Sequence, residues 1–455
     1  MSRLDDVVVR KRAEIEARRR RRPAAELERA VLPSTRRFGP ALGRPGLRFV
    51  LECKQASPSA GLLRPDYDPA GLARSFAGVA DAISVLTDGP WFRGSLDHLA
   101  AVRAATALPL LCKDFILDPF QVLEARVHGA DAVLLMLSLL DDAGYRRSAA
   151  AAHALGMDVL TEVHDEAELD RALRLDARII GINNRNLATL AVDRNTAERL
   201  APRIPRDRLI VCESGIRNRA DVDAVAGLAD AFLIGTSVMR EPRPDLAARA
   251  IAFGQVKVCG LTTPADAALA HAAGATLGGV VFAAESPRRV DERQAAAIAA
   301  GPLPLVGVFV NEPIERTVDL ATKLGLAAVQ LHGEDTPGQV AAIRAALPPS
   351  CEVWKSVRVA DRIGLEPTAA DRVLLDARHP SLRGGTGQRF DWRLVQHLTG
   401  RDRFVLAGGL DAGNVREAQR LGFGALDVST GVEAAPGVKD PARLDAFFGA
   451  LRGAA

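Results

Sequence analysis

Lysines, glutamates and one asparagine recur in this sequence at the ends of short apolar runs, where a strand would hold them ready for chemistry. The first group is Glu52-Cys53-Lys54-Gln55-Ala56-Ser57. Side chains alternate along a strand, so Glu52 and Lys54 share one face and Cys53 takes the other. Lys113 closes Leu111-Cys112-Lys113, Glu162 lies in Thr161-Glu162-Val163, Asn183 precedes Asn184-Arg185, and Glu213 precedes Ser214-Gly215. Acids and bases gathered in this way suit proton transfer at carbonyls and imines. Charges are costly to bury unless paired, and structural ion pairing would account for one or two of them rather than for the set.

A second group starts at Lys257-Val258-Cys259-Gly260-Leu261-Thr262, with Lys257 and Cys259 on one strand face. Downstream stand Ser286-Pro287-Arg288, Gln330-Leu331-His332-Gly333 and Leu374-Leu375-Asp376. A lone cysteine is more often a small core residue than a base. A lone aspartate is as often a cap, and a lone histidine as often a hydrogen-bonding strut as a pocket residue. A thiol with a pKa of ~8.5 also needs positive surroundings to act as a base, for which Lys257 and Arg288 are available.

Small residues mark a separate signal. Ser214-Gly215 and Gly235-Thr236-Ser237 follow two consecutive apolar runs; Gly384-Gly385-Thr386-Gly387, Gly408-Gly409 and Ser429-Thr430 follow three others. Each alone is more often a turn or a flexible loop. Together they suit phosphate, which backbone N–H groups and helix N-termini can grip where no Cβ intervenes.

The elements that must position these residues follow a rhythm of short β-rich run, Gly or Pro break, and Ala/Leu/Arg-rich helical stretch. Strands are predicted at 48–54, 81–86, 109–113, 131–136, 157–162, 178–183, 208–213 and 230–234. The same rhythm resumes at 255–259, 277–282, 304–310, 326–331, 351–355, 372–376, 403–407 and 425–429. Units of ~20–35 residues imply parallel strands. Eight or so per half predict an α/β chain of two tandem (βα)8 barrels, with chemistry at the C-terminal strand ends. A doubly wound open sheet is the alternative, but it usually has fewer strands and often a GxGxxG turn, absent in both halves. The expected division is 1–253 and 254–455, with 1–45 a basic helical extension of the first barrel. Thr262-Thr263-Pro264 reads as a helix entry.

At 455 residues the chain is too long for a single core. A 48% hydrophobic content excludes wholesale disorder, and a net charge of +3 gives no general reason to expect nucleic acid. Arg18 to Arg22 form an arginine run interleaved with nearby glutamates, and such runs usually face solvent. Five scattered cysteines without a CxxC pair suit a reducing cytosol rather than a disulfide framework or a zinc site. No apolar run approaches ~18 residues, and the first residues lack a secretory apolar core. The eight histidines show no HxxxH or HExxH spacing, and no motif calls for a metal, nucleotide or flavin. The expectation is a cytoplasmic monomer acting on small molecules, without nucleic acid, membrane or cofactor.

In order along the chain, ECKQASPS, CKDF, TEV, GINNRNL, CESGI and IGTSVM make residues 1 to about 253 resemble the indole-3-glycerol-phosphate synthases. The resemblance implies closure of a phosphorylated anthranilate sugar, a carboxyphenylamino-deoxyribulose phosphate, to indole glycerol phosphate with loss of CO2 and water. It implies Lys113 as general acid at the substrate carbonyl and Glu162 as its partner acid or base. Lys54 would hold the carboxylate or assist protonation, with Glu52 orienting and tuning the lysines. Asn183 and Glu213 would complete the polar rim, with Arg185 and Ser214 nearby. Ser57, Gly215, Gly235 and Thr236 would line the phosphate path. Which lysine is the acid and which the electrostatic clamp stays open. A lysine lowered toward neutrality by a second cation would give up its proton readily. Gln55 stands where many members have a second lysine, but it faces away from Lys54.

From Gln255 onward, KVCGLT, SPR, QLHG, LLDA, RGGTG, FDW, LAGGL and DVSTGVE with PGVKD resemble the phosphoribosylanthranilate isomerases. That implies an Amadori rearrangement of an aminoaldose phosphate to an aminoketose phosphate. Asp376 would protonate the ring oxygen, Cys259 as thiolate would take the C2 proton, and Arg288 would anchor the anthranilate. His332 would line the pocket, and Gly385, Gly387, Gly408, Gly409, Ser429 and Thr430 would hold phosphate. The second half's implied product is the first half's implied substrate. The rival readings are a Schiff-base lyase using Lys54 or Lys113, an inert binding protein, and DNA binding through the arginine run.

Overall fold

The computed structural model describes residues 3–186, 189–360, 363–377 and 389–453. The chain divides into two compact units, Met1–Ala252 and Phe253–Ala454. In the first, β1 (Arg48–Cys53), β2 (Ala82–Leu86), β3 (Leu110–Lys113), β4 (Ala132–Met136), β5 (Asp158–Val163), β6 (Ile179–Asn183), β7 (Leu209–Glu213) and β8 (Ala231–Ile234) form a closed parallel barrel. It shuts where Arg48 to Leu51 pair with Ala231 to Ile234. In the second, β9 (Val256–Cys259), β10 (Leu277–Val281), β11 (Leu305–Phe309), β12 (Ala328–Leu331), β13 (Glu352–Val359), β14 (Arg372–Ala377), β15 (Phe404–Leu406) and β16 (Ala425–Val428) do the same. Val256 to Val258 against Leu426 to Val428 close that ring. The predicted tandem (βα)8 architecture is therefore the one observed.

Alternation along the strands decides what fills each barrel. Val50, Leu111, Leu160, Ile179, Val211 and Ala231 pack into one cluster inside the first. Two or four residues further on, the same inward columns carry Glu52, Lys113, Glu162, Asn183 and Glu213 to the C-terminal rim. In the second barrel Ala328, Trp354, Leu374 and Ala425 form the inner cluster. Their columns continue to Gln330 and His332, Ser356, Asp376, and Asp427.

The helices between strands start where a short polar side chain satisfies a free N–H. Asp118 and Gln121 make a reciprocal capping box for Pro119–Val127. Thr263 caps Pro264–Ala273 by accepting from the Asp266 N–H, as its sequence predicts.

The extension comprises α1 (Arg3–Arg21), α2 (Ala24–Ala30) and α3 (Phe38–Leu42). Phe38 and Leu42 of α3 belong to the barrel's inner cluster, and the Gly39 N–H donates to Asp158 at the start of β5. α3 is thus the floor of the barrel. Burying a side chain such as Phe38 is worth ~1.5–3 kcal/mol. α1 is not merely a solvated helix, as its arginine run suggested. Val7, Lys11 and Ile15 recur every fourth residue on a buried face. Lys11 Nζ sits between Asp88 Oδ1 (2.6 Å) and Asp114 Oδ1 (2.8 Å). Arg18 and Arg19 pair with Glu124 and Asp118, whereas Arg20 and Arg21 are exposed.

Candidate active sites

The mouth of the first barrel is a cavity lined by Glu52, Lys54, Ser57, Lys113, Glu162, Asn183, Arg185, Glu213, Ser214, Gly215, Gly235 and Thr236. Each of the residues singled out in the first half therefore faces one space. Trp91, Phe92, Phe115 and Leu190 add apolar walls suited to a flat ring. Lys54 Nζ lies 2.6 Å from Glu52 Oε1. Lys113 Nζ bridges two carboxylates, Glu213 Oε2 at 2.7 Å and Glu162 Oε2 at 3.2 Å. Gly181, between Ile179 and Asn183 on β6, makes room for this set, because a Cβ there would run into the Glu213 carboxylate.

The electrostatics correct one expectation. Lys113 is not lowered by a second cation. Burial does work against its charge, but Glu213 and Glu162, with Glu52 behind them, hold it above the ordinary lysine value. Burial, Glu162 and Glu52 push Glu213 up to about 7 although Lys113 opposes them. Glu162 goes the other way, well below the usual carboxylate range: burial resists, but Lys113 and His164 outweigh it. Of the two carboxylates, Glu162 has a second cation, His164, beside it, and Glu213 has none among the described residues. At neutral pH the site thus holds an ammonium, one carboxylate fully charged and one close to its titration point.

Directly after Glu213, Ser214 (φ +63°) and Gly215 (φ +87°) both adopt left-handed backbone, and the Ser214 carbonyl accepts from Asn184 Nδ2 at 3.0 Å. Gly235 precedes the helical turn Thr236–Met239. Its missing Cβ leaves space claimed by the Glu52 carboxylate and Lys54 Nζ. The Ser57 hydroxyl is buried without a hydrogen-bond partner among the described residues. Arg185 donates to the Leu190 carbonyl at 2.9 Å.

In the second barrel Cys259 and Lys257 point inward from β9. Lys257 is fully buried, with Nζ 3.0 Å from Asp427 Oδ1. Gly279 on the neighbouring strand leaves room for the thiol, since a Cβ there would stand 2.7 Å from Sγ. The positive surroundings expected for Cys259 are only partly present. Burial and Asp427 raise its pKa more than Lys257 and Lys439 lower it, so the resting group is a thiol. Asp376 accepts from the Ala377 N–H at 2.9 Å and faces His332 Nε2 at 3.5 Å. His332 Nδ1 lies 3.1 Å from Gln330 Nε2 and 2.9 Å from Ser356 Oγ. With the Gln330 amide donating, the ring proton resides on Nε2, toward Asp376.

Arg288, the other cation considered for Cys259, is committed to a carboxylate. Its Nε and Nη2 clasp the Glu433 carboxylate at 2.7–3.1 Å. Lys439 Nζ donates to Glu433 at 2.7 Å and to the Cys259 carbonyl at 2.5 Å. Gly260 (φ +76°) permits this, because a Cβ there would lie 2.5 Å from Arg288 Cδ. Gly408 (φ +85°) and Gly409 (φ +63°) follow β15. Ser429 opens the turn Thr430–Val432 after β16, its hydroxyl donating to the Cys259 carbonyl at 3.3 Å. Gly385 and Gly387 lie outside the described residues.

Residues 4–251 match the indole-3-glycerol phosphate synthase family, and residues 256–450 match the N-(5'phosphoribosyl)anthranilate (PRA) isomerase family. The chain is 49% identical over 440 residues to the tryptophan biosynthesis protein TrpCF of Vibrio cholerae serotype O1, covering 96% of this chain and 93% of that one. It is 45% identical to TrpCF of Yersinia pestis over 451 residues, covering 99% and 94%. The chain belongs to the TrpCF family. It is a bifunctional enzyme of tryptophan biosynthesis, a decarboxylating lyase in its synthase barrel and an isomerase in the next.

Some polar residues at these two mouths were not singled out from sequence. In the synthase barrel they are His164, beside Glu162, and the Lys11–Asp88–Asp114 set. In the isomerase barrel they are Asp427, Glu433 and Lys439. Period two along β16 places Asp427 in register with Ala425 and Ser429, and that spacing could have flagged it. His164, two residues after Glu162 and four before Glu168, was open to the same period-two reading, whereas Lys11 meets Asp88 and Asp114, and Glu433 meets Arg288, only across long stretches of chain.

Proposed function

We propose that the synthase barrel closes and decarboxylates its anthranilate-sugar phosphate with Lys113 as the proton donor at the substrate carbonyl. The observation that carries this reading is Lys113 Nζ within 3.2 Å of both Glu162 and Glu213. Bond formation at the carbonyl carbon turns its oxygen into a developing alkoxide, which an ammonium can both stabilise and protonate. Glu162, ionised, takes protons in the dehydration, and Glu213, near its titration point, returns them. Lys54, paired with Glu52, is the clamp for the substrate carboxylate that leaves as CO2. Asn183, Arg185 and Ser214 orient the substrate. The Ser57 hydroxyl, Gly215, Gly235 and Thr236 take the phosphate.

In the isomerase barrel, Asp376 gives a proton to the ring oxygen as the furanose opens. The iminium cation formed beside Cys259 supplies the positive charge that the resting site lacks, so the thiol releases its proton to solvent once the substrate is committed. The resulting thiolate then removes the C2 proton. His332 holds Asp376, Arg288 meets the anthranilate side, and Gly385, Gly387, Gly408, Gly409, Ser429 and Thr430 take the phosphate. The five free thiols, four of them buried, support a reducing cytoplasmic location, and among the described residues no helix is long and apolar enough to cross a membrane. The protein works as a monomer on small phosphorylated substrates.

Two measurements test this. Supplied only with phosphoribosyl-anthranilate, the chain produces indole absorbance without added enzyme or cofactor. No indole signal from a chain that consumes the substrate would remove the synthase half. Residues 1–253 and 254–455, expressed apart, each retain one activity, because each barrel buries its own core. Aggregation of either piece would show that the boundary cuts through a core.

A further inference from the structure

Among the described residues of the synthase rim, Glu162 is the carboxylate flanked by two cations. Its Oε2 faces Lys113 Nζ and its Oε1 faces His164 Nε2, each at 3.2 Å. His164 lies just beyond β5, with its side chain largely buried. Its backbone N–H and its Nδ1 both meet Glu168 Oε2, at 2.8 and 3.0 Å. Glu168 is fixed in turn, its own N–H donating to Asp165, the cap of the helix Glu166–Arg174. His164 thus has Glu168 at hydrogen-bonding distance from Nδ1 and Glu162 in ionic contact with Nε2, and two such neighbours favour the imidazolium wedged between them.

We propose that His164 is a positioning residue that assigns the roles of the two carboxylates sharing Lys113: its charge makes Glu162 the proton acceptor and leaves the shared proton to Glu213. This rests on the reading of Glu162 as a proton carrier. The charged groups around the set are few. Glu162 faces Lys113 and His164, with the Asn183 amide as a further donor; Glu213 faces Lys113 and, further off, Glu162 and Glu52; His164 faces Glu162 and Glu168. Two like carboxylates on one ammonium would otherwise divide the proton between them. Burial pulls His164 down, but its two carboxylates bring it up to about 10, so the wedge stays charged through the neutral range.

His164→Asn keeps a donor near Glu162 and removes the charge. Losing a cation at this distance raises the Glu162 pKa, so the proton held on Glu213 is divided between the two carboxylates and the acid limb of synthase turnover moves up into the neutral range. Turnover near that limb falls about tenfold with KM little changed, and recovers as the pH is raised. The isomerase activity of the same chain serves as the internal control. Glu168→Gln, which leaves the ring in place, brings His164 into an accessible titration range, read by nitrogen-15 NMR of the imidazole. In the unmodified chain that ring stays doubly protonated at pH 8. An unshifted acid limb in His164→Asn, or a neutral ring at pH 8, overturns the proposal while Glu162→Gln still loses turnover. Full turnover in Glu162→Gln overturns the reading beneath it as well.

Discussion

Replacing Lys113 by alanine lowers synthase turnover about 10²–10⁴-fold, the usual worth of general acid–base catalysis, and leaves isomerase turnover unchanged. The expectation follows from what the ammonium does in the resting site. It is the common partner of Glu162 and Glu213, and no other cation contacts Glu213 among the described residues. Without it, Glu213, already pushed up to about 7, takes a proton, while Glu162 keeps His164. The variant therefore retains a carboxylate able to accept a proton but has lost the donor at the carbonyl. Steady-state synthase kinetics, with the isomerase assayed on the same preparation, measures both halves of the prediction. Removing one member of a buried ion-paired set commonly costs ~3–5 kcal/mol, so thermal unfolding must be followed alongside. Protonation of Glu213 offsets part of that cost, because the carboxylate left behind need not stay charged. Equal loss of both activities would mean general destabilisation rather than loss of an acid.

The same network shows where reading from sequence works and where it stops. The strands were legible because each is a short β-rich run set off from the helical stretches around it, and because period two puts Glu52, Lys113, Glu162 and Glu213 on the inward columns whatever the loops do. One strand runs longer than expected: β13 continues from Lys355 to Val359 because Ser356 to Val359 pair with Leu374 to Ala377 on β14. That pairing is set by the neighbour's register, and the polar run Lys-Ser-Val-Arg does not announce it. The sign of the Lys113 perturbation was missed for a related reason. Strand ends show which charges are present, but whether a lysine meets a cation or two carboxylates depends on side-chain reach across the barrel mouth. Lys11 escaped notice because its meaning lies in Asp88 and Asp114, far off in sequence; His164 was within reach of a local reading, since Glu162 and Glu168 stand two and four residues away, but its burial was not. Arg288 and Glu433 are 145 residues apart, yet they form a bidentate pair.

Asp376→Asn lowers isomerase turnover by a similar factor, about 10²–10⁴, with little change in KM. The split between the two constants follows from geometry. The amide oxygen can still accept from the Ala377 N–H, so the residue stays in place. The glycines after β15 and the turn after β16, which take the phosphate in our reading, are untouched. What disappears is the proton for the ring oxygen, needed only as the furanose opens. The asparagine must also turn its second polar atom toward His332. If that atom is the amide nitrogen, it faces a ring N–H rather than an acceptor. Gln330 and Ser356 limit how far the imidazole can change tautomer in response. Cys259→Ala tests the other half of the reaction. It removes the acceptor for the C2 proton while Lys257 keeps Asp427 as its partner, so the barrel stays folded and ring opening continues. Substrate hydrogen at C2 then ceases to exchange with solvent deuterium. Continued exchange in Cys259→Ala would move the base elsewhere in the mouth, and Asp427, 3.0 Å from Lys257, is the next carboxylate in line.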